Sequence, residues 1–217
     1  MSGVIAHHRH YLAQKAYKRS FFLSSAFFLT SILGNFVAGL YATSRASHSV
    51  EDLVLSNVPV QNVSEYFVWG AIALIVFVMI LCLMDARRIP FTLYAMGMFY
   101  LVRACFVTLT HLGSYPDRII LDEGWIMTKL FGGNDLFFSG HTGAPFMLAL
   151  VYWREPALRY IFLVWSVFMG FVVLLGHVHY SIDVLSAFFI TYTVFQITHW
   201  LFPKDHARFN EAERVVT

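Results

Sequence analysis

Charge is the first thing this sequence lacks. Asp, Glu, Lys and Arg make up 13% of the 217 residues, where soluble domains carry about a quarter. Hydrophobic residues make up 58%, and the mean hydropathy is +0.63. So few charges leave little to solvate the outside of a globule, which excludes an ordinary cytosolic enzyme and a disordered chain. The formal net charge of +2 is too small for a phosphate-backbone footprint and excludes a basic nucleic-acid binder. Cysteine is scarce as well. Cys82 and Cys105 both lie in apolar runs and form no CxxC, no zinc pattern and no disulfide framework, so inert packing roles are expected. No repeat and no low-complexity segment is visible. The length allows one domain. What is present is a series of long apolar stretches, and the fold class they imply is all-α: a compact polytopic membrane protein.

A helix crosses the bilayer core with about 20 residues. Six stretches qualify: Phe21 to Tyr41, Phe67 to Met84, Phe91 to Leu112, Phe138 to Trp153, Tyr160 to His177, and Asp183 to Phe202. The fourth is short. The runs are continuous rather than alternating, which argues against a barrel. Six transmembrane helices put both termini on one side. That side holds Arg9, Lys15, Lys18, Arg19, Arg87, Arg88, Arg154, Arg159, Lys204, Arg208 and Arg214, which is 11 of the 15 Lys and Arg. The opposite loops hold Arg45, Arg118 and Lys129, and Arg103 lies within a span. The positive-inside rule then makes both termini cytoplasmic. Residues 1–20 read as a cytoplasmic N-terminal arm rather than a cleavable signal, 21–202 as a six-helix membrane domain, and 203–217 as a cytoplasmic tail.

The polar residues collect at the non-cytoplasmic face. His141 stands in Ser139-Gly140-His141-Thr142 at the start of the fourth stretch, His179 follows the fifth, and Asp183 opens the sixth. The chain between the two histidines is long enough for one span inward and one outward, so topology returns them to the same face. His179 and Asp183 are four residues apart and share a helix face. An Asp on one ring nitrogen fixes the tautomer and leaves the other a better nucleophile. It also stabilises the imidazolium-like charge formed on attack. A second histidine can protonate a leaving oxygen, which completes a set for phosphoryl transfer through a phosphohistidine. Ser139 and Gly140 let an anion approach the N–H groups of a helix start; the plainer reading of Ser139 is an N-cap. Arg103, expensive within a span, usually faces a cavity or partner and can grip phosphate bidentately. Arg118 is a second phosphate-binding candidate, and Asp135 a candidate for orienting His141 or binding a head group. His177 and His199 read as structural, and His111 as structural or interfacial.

These residues resemble the type 2 phosphatidic acid phosphatase (PAP2) superfamily, specifically its sphingomyelin-synthase-related branch. That branch carries an Asp, then Ser-Gly-His-Thr, then His-Tyr-Thr-x-Asp-Val. The matches here are Asp135, Ser139-Gly140-His141-Thr142 and His179-Tyr180-Ser181-Ile182-Asp183-Val184. Arg103 with its trailing threonines, and Asp52 and Pro59 before the second span, are similar to further positions of that branch. The phosphatase branch's lysine-rich first motif is absent, and the Cys-Gly-Asp of the synthases is Gly133-Asn134-Asp135 here. The resemblance implies a metal-independent enzyme without cofactor. In it His179, oriented by Asp183, attacks a lipid phosphoester and His141 serves as acid and then base. Arg103, Ser139 and Gly140 would hold the phosphate, with Asp135 and Arg118 beside them. The implied partners are a phospholipid donor and, as acceptor, a lipid alcohol (ceramide or diacylglycerol) or water. With water the same residues make a lipid phosphatase. A bacterial inner membrane is favoured, with a eukaryotic secretory membrane as the other setting; oligomeric state is unknown. Three rival classes remain: a metal-dependent hydrolase built on His141, His177, His179 and Asp183, a transporter, and a non-catalytic scaffold.

Overall fold

The computed structural model describes residues 2–119 and 136–211. Among these there are eight helices and no strand: α1 (Ser2–Ala13), α2 (Lys15–Arg45), α3 (Ser64–Met84), α4 (Arg88–Leu109), α5 (Gly140–Val151), α6 (Pro156–Leu175), α7 (Ser181–Leu201) and α8 (Pro203–Glu211). Five of them, α2, α3, α4, α6 and α7, are long and apolar enough to cross a membrane. Their outward faces carry large apolar side chains, such as Leu29 and Leu33 on α2, Ile75 and Met79 on α3, Val164 and Phe171 on α6, and Phe189 and Trp200 on α7. Such a belt is unstable in water and suits hydrocarbon.

The fourth apolar stretch differs from its neighbours. It forms α5, a helix of 12 residues, about 18 Å long at 1.5 Å per residue. The chain enters it through a left-handed turn at Phe137 and Phe138 and leaves it at Tyr152, ahead of the Pro156 that starts α6. Pro at a first helical position costs no hydrogen bond. Nine residues of α5 are buried, so protein covers most of its backbone. Gly143 permits the fit, because a Cβ there would lie 2.6 Å from the Phe99 ring and 2.9 Å from Thr191 Oγ1. The core gathers around this helix: Met147, Leu148 and Val151 pack with Phe91 and Phe99 of α4, Phe162 of α6 and Val194 of α7. Ser166 of α6 donates to the Thr142 carbonyl at 2.7 Å.

The first and last described helices lie at one end of the bundle. Ser20 donates to Asp205 at 2.6 Å, His7 Nε2 meets Asp85 at 2.9 Å, and the Arg208 guanidinium lies over the Tyr17 ring. Arg88 and Glu155 pair there at 3.1 Å. The boundary at residue 20 falls inside α2, which begins at Lys15 after the extended Gln14. The tail folds into α8, whose Phe209 packs on Phe91 and Tyr152. In that helix His206 is pushed down to about 4 by burial, the nearby His199 and Arg154.

At the opposite end, loops 46–63 and 110–119 lace together. Ser47 N donates to His111 O at 2.8 Å, Gly113 N to His48 O at 3.1 Å, and Ile119 N to Gly176 O at 3.1 Å. Asp52 is the principal knot. Its Oδ1 accepts the Val54 and Leu55 amides at 2.9 and 3.1 Å, and its Oδ2 accepts Ser181 N and Oγ at 2.8 Å each. Burial pushes the Asp52 carboxyl up, but the hydrogen bonds from Leu55, Ser181 and Val54 outweigh it and hold the carboxyl below its ordinary range. A depressed folded-state pKa stabilises the fold above the unfolded value and ceases to do so as pH falls through the folded one. The Asp52→Asn variant is therefore expected to melt several degrees below wild type in detergent at pH 7. The gap should close when both proteins are melted below the folded-state pKa. A gap that stays constant across that range overturns the assignment.

Candidate active site

The loop from Asp52 is tied to Ser181, the first residue of α7, and that fixes the entry of the helix carrying Asp183. Asp183 is fully buried. Its Oδ2 accepts the Tyr180 N–H at 3.1 Å and lies 3.1 Å from His179 Nδ1. A carboxylate only accepts, so Nδ1 donates to it, and in the neutral tautomer that this bond selects Nε2 keeps its lone pair. Asp183 Oδ1 has no hydrogen-bond partner among the described residues. Tyr180, between the two, donates its hydroxyl to Gly113 O at 2.8 Å and accepts the Val50 N–H at 3.2 Å, so two loops hold this segment.

The Ser139–Thr142 segment arrives beside it. Phe137 and Phe138 have φ of 74° and 68°, which costs about 1–3 kcal/mol per residue and persists only where surroundings enforce it. Here Phe138 is fully buried and stands edge-on to Phe99 and Phe106. The turn points the Phe138 carbonyl at Arg103 Nε, 3.3 Å away, and the Ser139 amide at the Asp183 carbonyl, 3.1 Å away. Ser139 does cap α5: its Oγ accepts the Thr142 N–H at 3.4 Å. The α5 N-terminus thus opens at Gly140 and His141. An added Cβ at Gly140 would lie 3.1 Å from Arg103 Nε, so a larger residue there would press the guanidinium back by a few tenths of an ångström. The His141 ring lies against Phe67 of α3, with centroids 3.9 Å apart and planes 30° apart.

Arg103, Gly140, His141 and His179 all line one cavity of about 150 Å³. Asn35 of α2 joins them there, and Arg103 Nη1 donates to its Oδ1 at 3.0 Å. Away from these groups the lining turns apolar, with Ala71, Leu74 and Ile75 on α3 and Trp165 and Met169 on α6. Ile75 is also exposed on the outside of the bundle, so the cavity reaches the face that would meet lipid. One end offers two imidazoles, a guanidinium and a helix start; the other offers a path for a hydrocarbon chain.

The remaining expected site residues lie elsewhere. Asp135 falls outside the described residues. Arg118 sits in the neighbouring loop with Nη1 donating to Ser114 Oγ at 3.2 Å and does not line the cavity. His177, at φ 52°, donates Nε2 to the Val58 carbonyl at 3.0 Å and stands edge-on to Tyr115, and it does not line the cavity that His141 and His179 share. Among the described residues no group of three or more His, Cys, Asp or Glu is placed to hold one metal ion. His111 packs on Tyr41, and His199 on His206 at the far end. Sequence reasoning missed Asn35 and Phe67. The first had a signal, as the one carboxamide within residues 21–41. The second had none among 22 phenylalanines.

A bundle of apolar helices thus surrounds a cavity lined by two histidines and an arginine, with the Asp183 carboxylate behind one of the histidines, a set of groups suited to phosphoryl chemistry. Residues 132–200 match the family model described as PAP2 superfamily C-terminal. The match contains His141, His179 and Asp183 and supports a PAP2-type lipid phosphatase or phosphotransferase. No curated protein matches the chain.

Proposed function

We propose that the protein is a lipid head-group phosphotransferase of the sphingomyelin-synthase-related kind. One observation carries the reading: His141, His179 and Arg103 line a single cavity whose other end is apolar and reaches the lipid-facing surface. In the first half-reaction, the His179 Nε2 lone pair attacks phosphorus. The bond from phosphorus to the lipid oxygen breaks, and His141, as imidazolium, gives that oxygen its proton. The head group stays on His179 through a P–N bond. In the second half, His141 takes the proton of the acceptor hydroxyl, whose oxygen attacks phosphorus, and the P–N electron pair returns to Nε2. Arg103 and the α5 N-terminus hold the phosphate oxygens as charge develops, in a site walled off from bulk water. Ceramide or diacylglycerol as acceptor makes the enzyme a transferase. Water makes it a phosphatase, and the two reactions share the first half. The metal-dependent alternative needs His177 at the same centre, and its bond to Val58 opposes that.

The excess of Lys and Arg at the end holding α1 and α8 supports an orientation with that end cytoplasmic and the site on the periplasmic or lumenal face. In this reading α5 counts as the sixth crossing, and the bacterial inner membrane is the favoured setting.

The test is reconstitution with head-group-labelled phosphatidylcholine, with and without ceramide or diacylglycerol. Label moving to the added lipid alcohol is the expected result. Label released only to water replaces the transferase with the phosphatase. Activity is expected to fall with vanadate, which imitates a five-coordinate phosphorus, and to survive EDTA. Loss on chelation with recovery on added zinc would reject the phosphohistidine route.

A further inference from the structure

Asn35 has no part in the reaction as written. A carboxamide is costly inside an apolar helix, and such residues usually face a partner or a cavity. Asn35 does both. Arg103 donates to its Oδ1, and a guanidinium has only donors, so the oxygen must face it. That leaves Nδ2 as a fixed donor, and among the described residues it meets no acceptor. Asn35 also lines the cavity, where the polar end gives way to Tyr100, Leu74 and Ile75.

We propose that Asn35 reads the acyl linkage of the lipid. Its Nδ2 donates to the carbonyl oxygen of the ester or amide that joins a fatty chain to the lipid backbone. The assignment rests on the phosphotransfer reading for the direction in which the lipid lies. Arg103 and the α5 N-terminus take the phosphate, and the apolar wall of α3 and α6 takes the chain. Passing from phosphate to chain, the first acceptor in an acylated glycerolipid or ceramide phospholipid is that carbonyl. Asn35 supplies a donor at the junction of the two linings. A lipid with ether-linked chains keeps the phosphate and the hydrocarbon but offers no carbonyl.

The experiment uses the full chain in detergent and titrates it with dioleoyl phosphatidic acid and with its dialkyl-ether counterpart. Tryptophan fluorescence reports binding, since Trp165 lines the cavity. Wild-type protein is expected to bind the ester lipid about five- to tenfold more tightly, the worth of one hydrogen bond in a dry site. Asn35→Leu is expected to bind both lipids equally. That variant also removes one acceptor of Arg103, which weakens both lipids by the same factor, so the ratio carries the result. A wild-type ratio near one, a ratio unchanged in Asn35→Leu, or binding of neither lipid overturns the proposal. The comparison within wild-type protein needs no variant to fold. Failure of the phosphotransfer reading shows separately, as turnover that survives loss of His179.

Discussion

His179→Ala is expected to lower turnover of labelled phospholipid at least about 10³-fold, to the level left by binding and orientation alone. Among the described residues, His141 is the one other imidazole lining the cavity. His141 sits on the α5 N-terminus against Phe67, and Asp183, the carboxylate that makes an imidazole a better nucleophile, is committed to His179 and Tyr180. Substrate affinity should change little, because Arg103 and the helix start remain. The measurement is steady-state kinetics in proteoliposomes, paired with acid-labile, base-stable phosphate on quenched wild-type protein. A variant within tenfold of wild type rejects the nucleophile assignment.

Asp183→Asn is expected to cost about 10²- to 10⁴-fold in kcat with KM nearly constant, by analogy with the carboxylate of a Ser-His-Asp triad. The substitution keeps size and burial but removes one acceptor. Asp183 Oδ2 accepts both the Tyr180 amide and His179 Nδ1. A carboxamide oxygen in the Oδ2 place can keep both bonds and puts the NH₂ where the partnerless Oδ1 stood, so what the ring loses is the negative charge that makes it a better nucleophile. The imidazolium-like charge of the phosphorylated state also loses its counter-ion in a buried site. A KM increase with unchanged kcat would make Asp183 a binding residue instead. A melting temperature within a few degrees of wild type separates the chemical effect from unfolding.

Span counting placed His141 and His179 on one face, and the structure places both on one cavity, because that step needs only the length of two crossings. The HxxxD spacing was legible for the same reason: an i, i+4 relation is local. Helix boundaries were less so. α2 starts at Lys15 rather than Phe21, and α4 at Arg88 rather than Phe91, since helices run on through polar flanks that hydropathy discounts. The shortness of the fourth stretch was legible, but the way the chain enters α5 was not. Two phenylalanines in the left-handed region leave no trace in composition, and their backbone is enforced by Phe99 and Phe106 from another helix. Arg103 could be singled out as an expensive charge. Its partners, Asn35 and the Phe138 carbonyl, are set by tertiary packing and lie 68 and 35 residues away in sequence.

The brevity of α5 also bears on how the molecule is made. A segment of 12 residues is too short to settle in a bilayer by itself, and its sides are covered by helices on both flanks of the sequence, among them α6 and α7, which are synthesised after it. Its seating must therefore wait for the later helices to leave the ribosome. The reactive centre is then among the last parts of the protein to exist during biogenesis, and a chain truncated before Ser181 would be inserted yet inert.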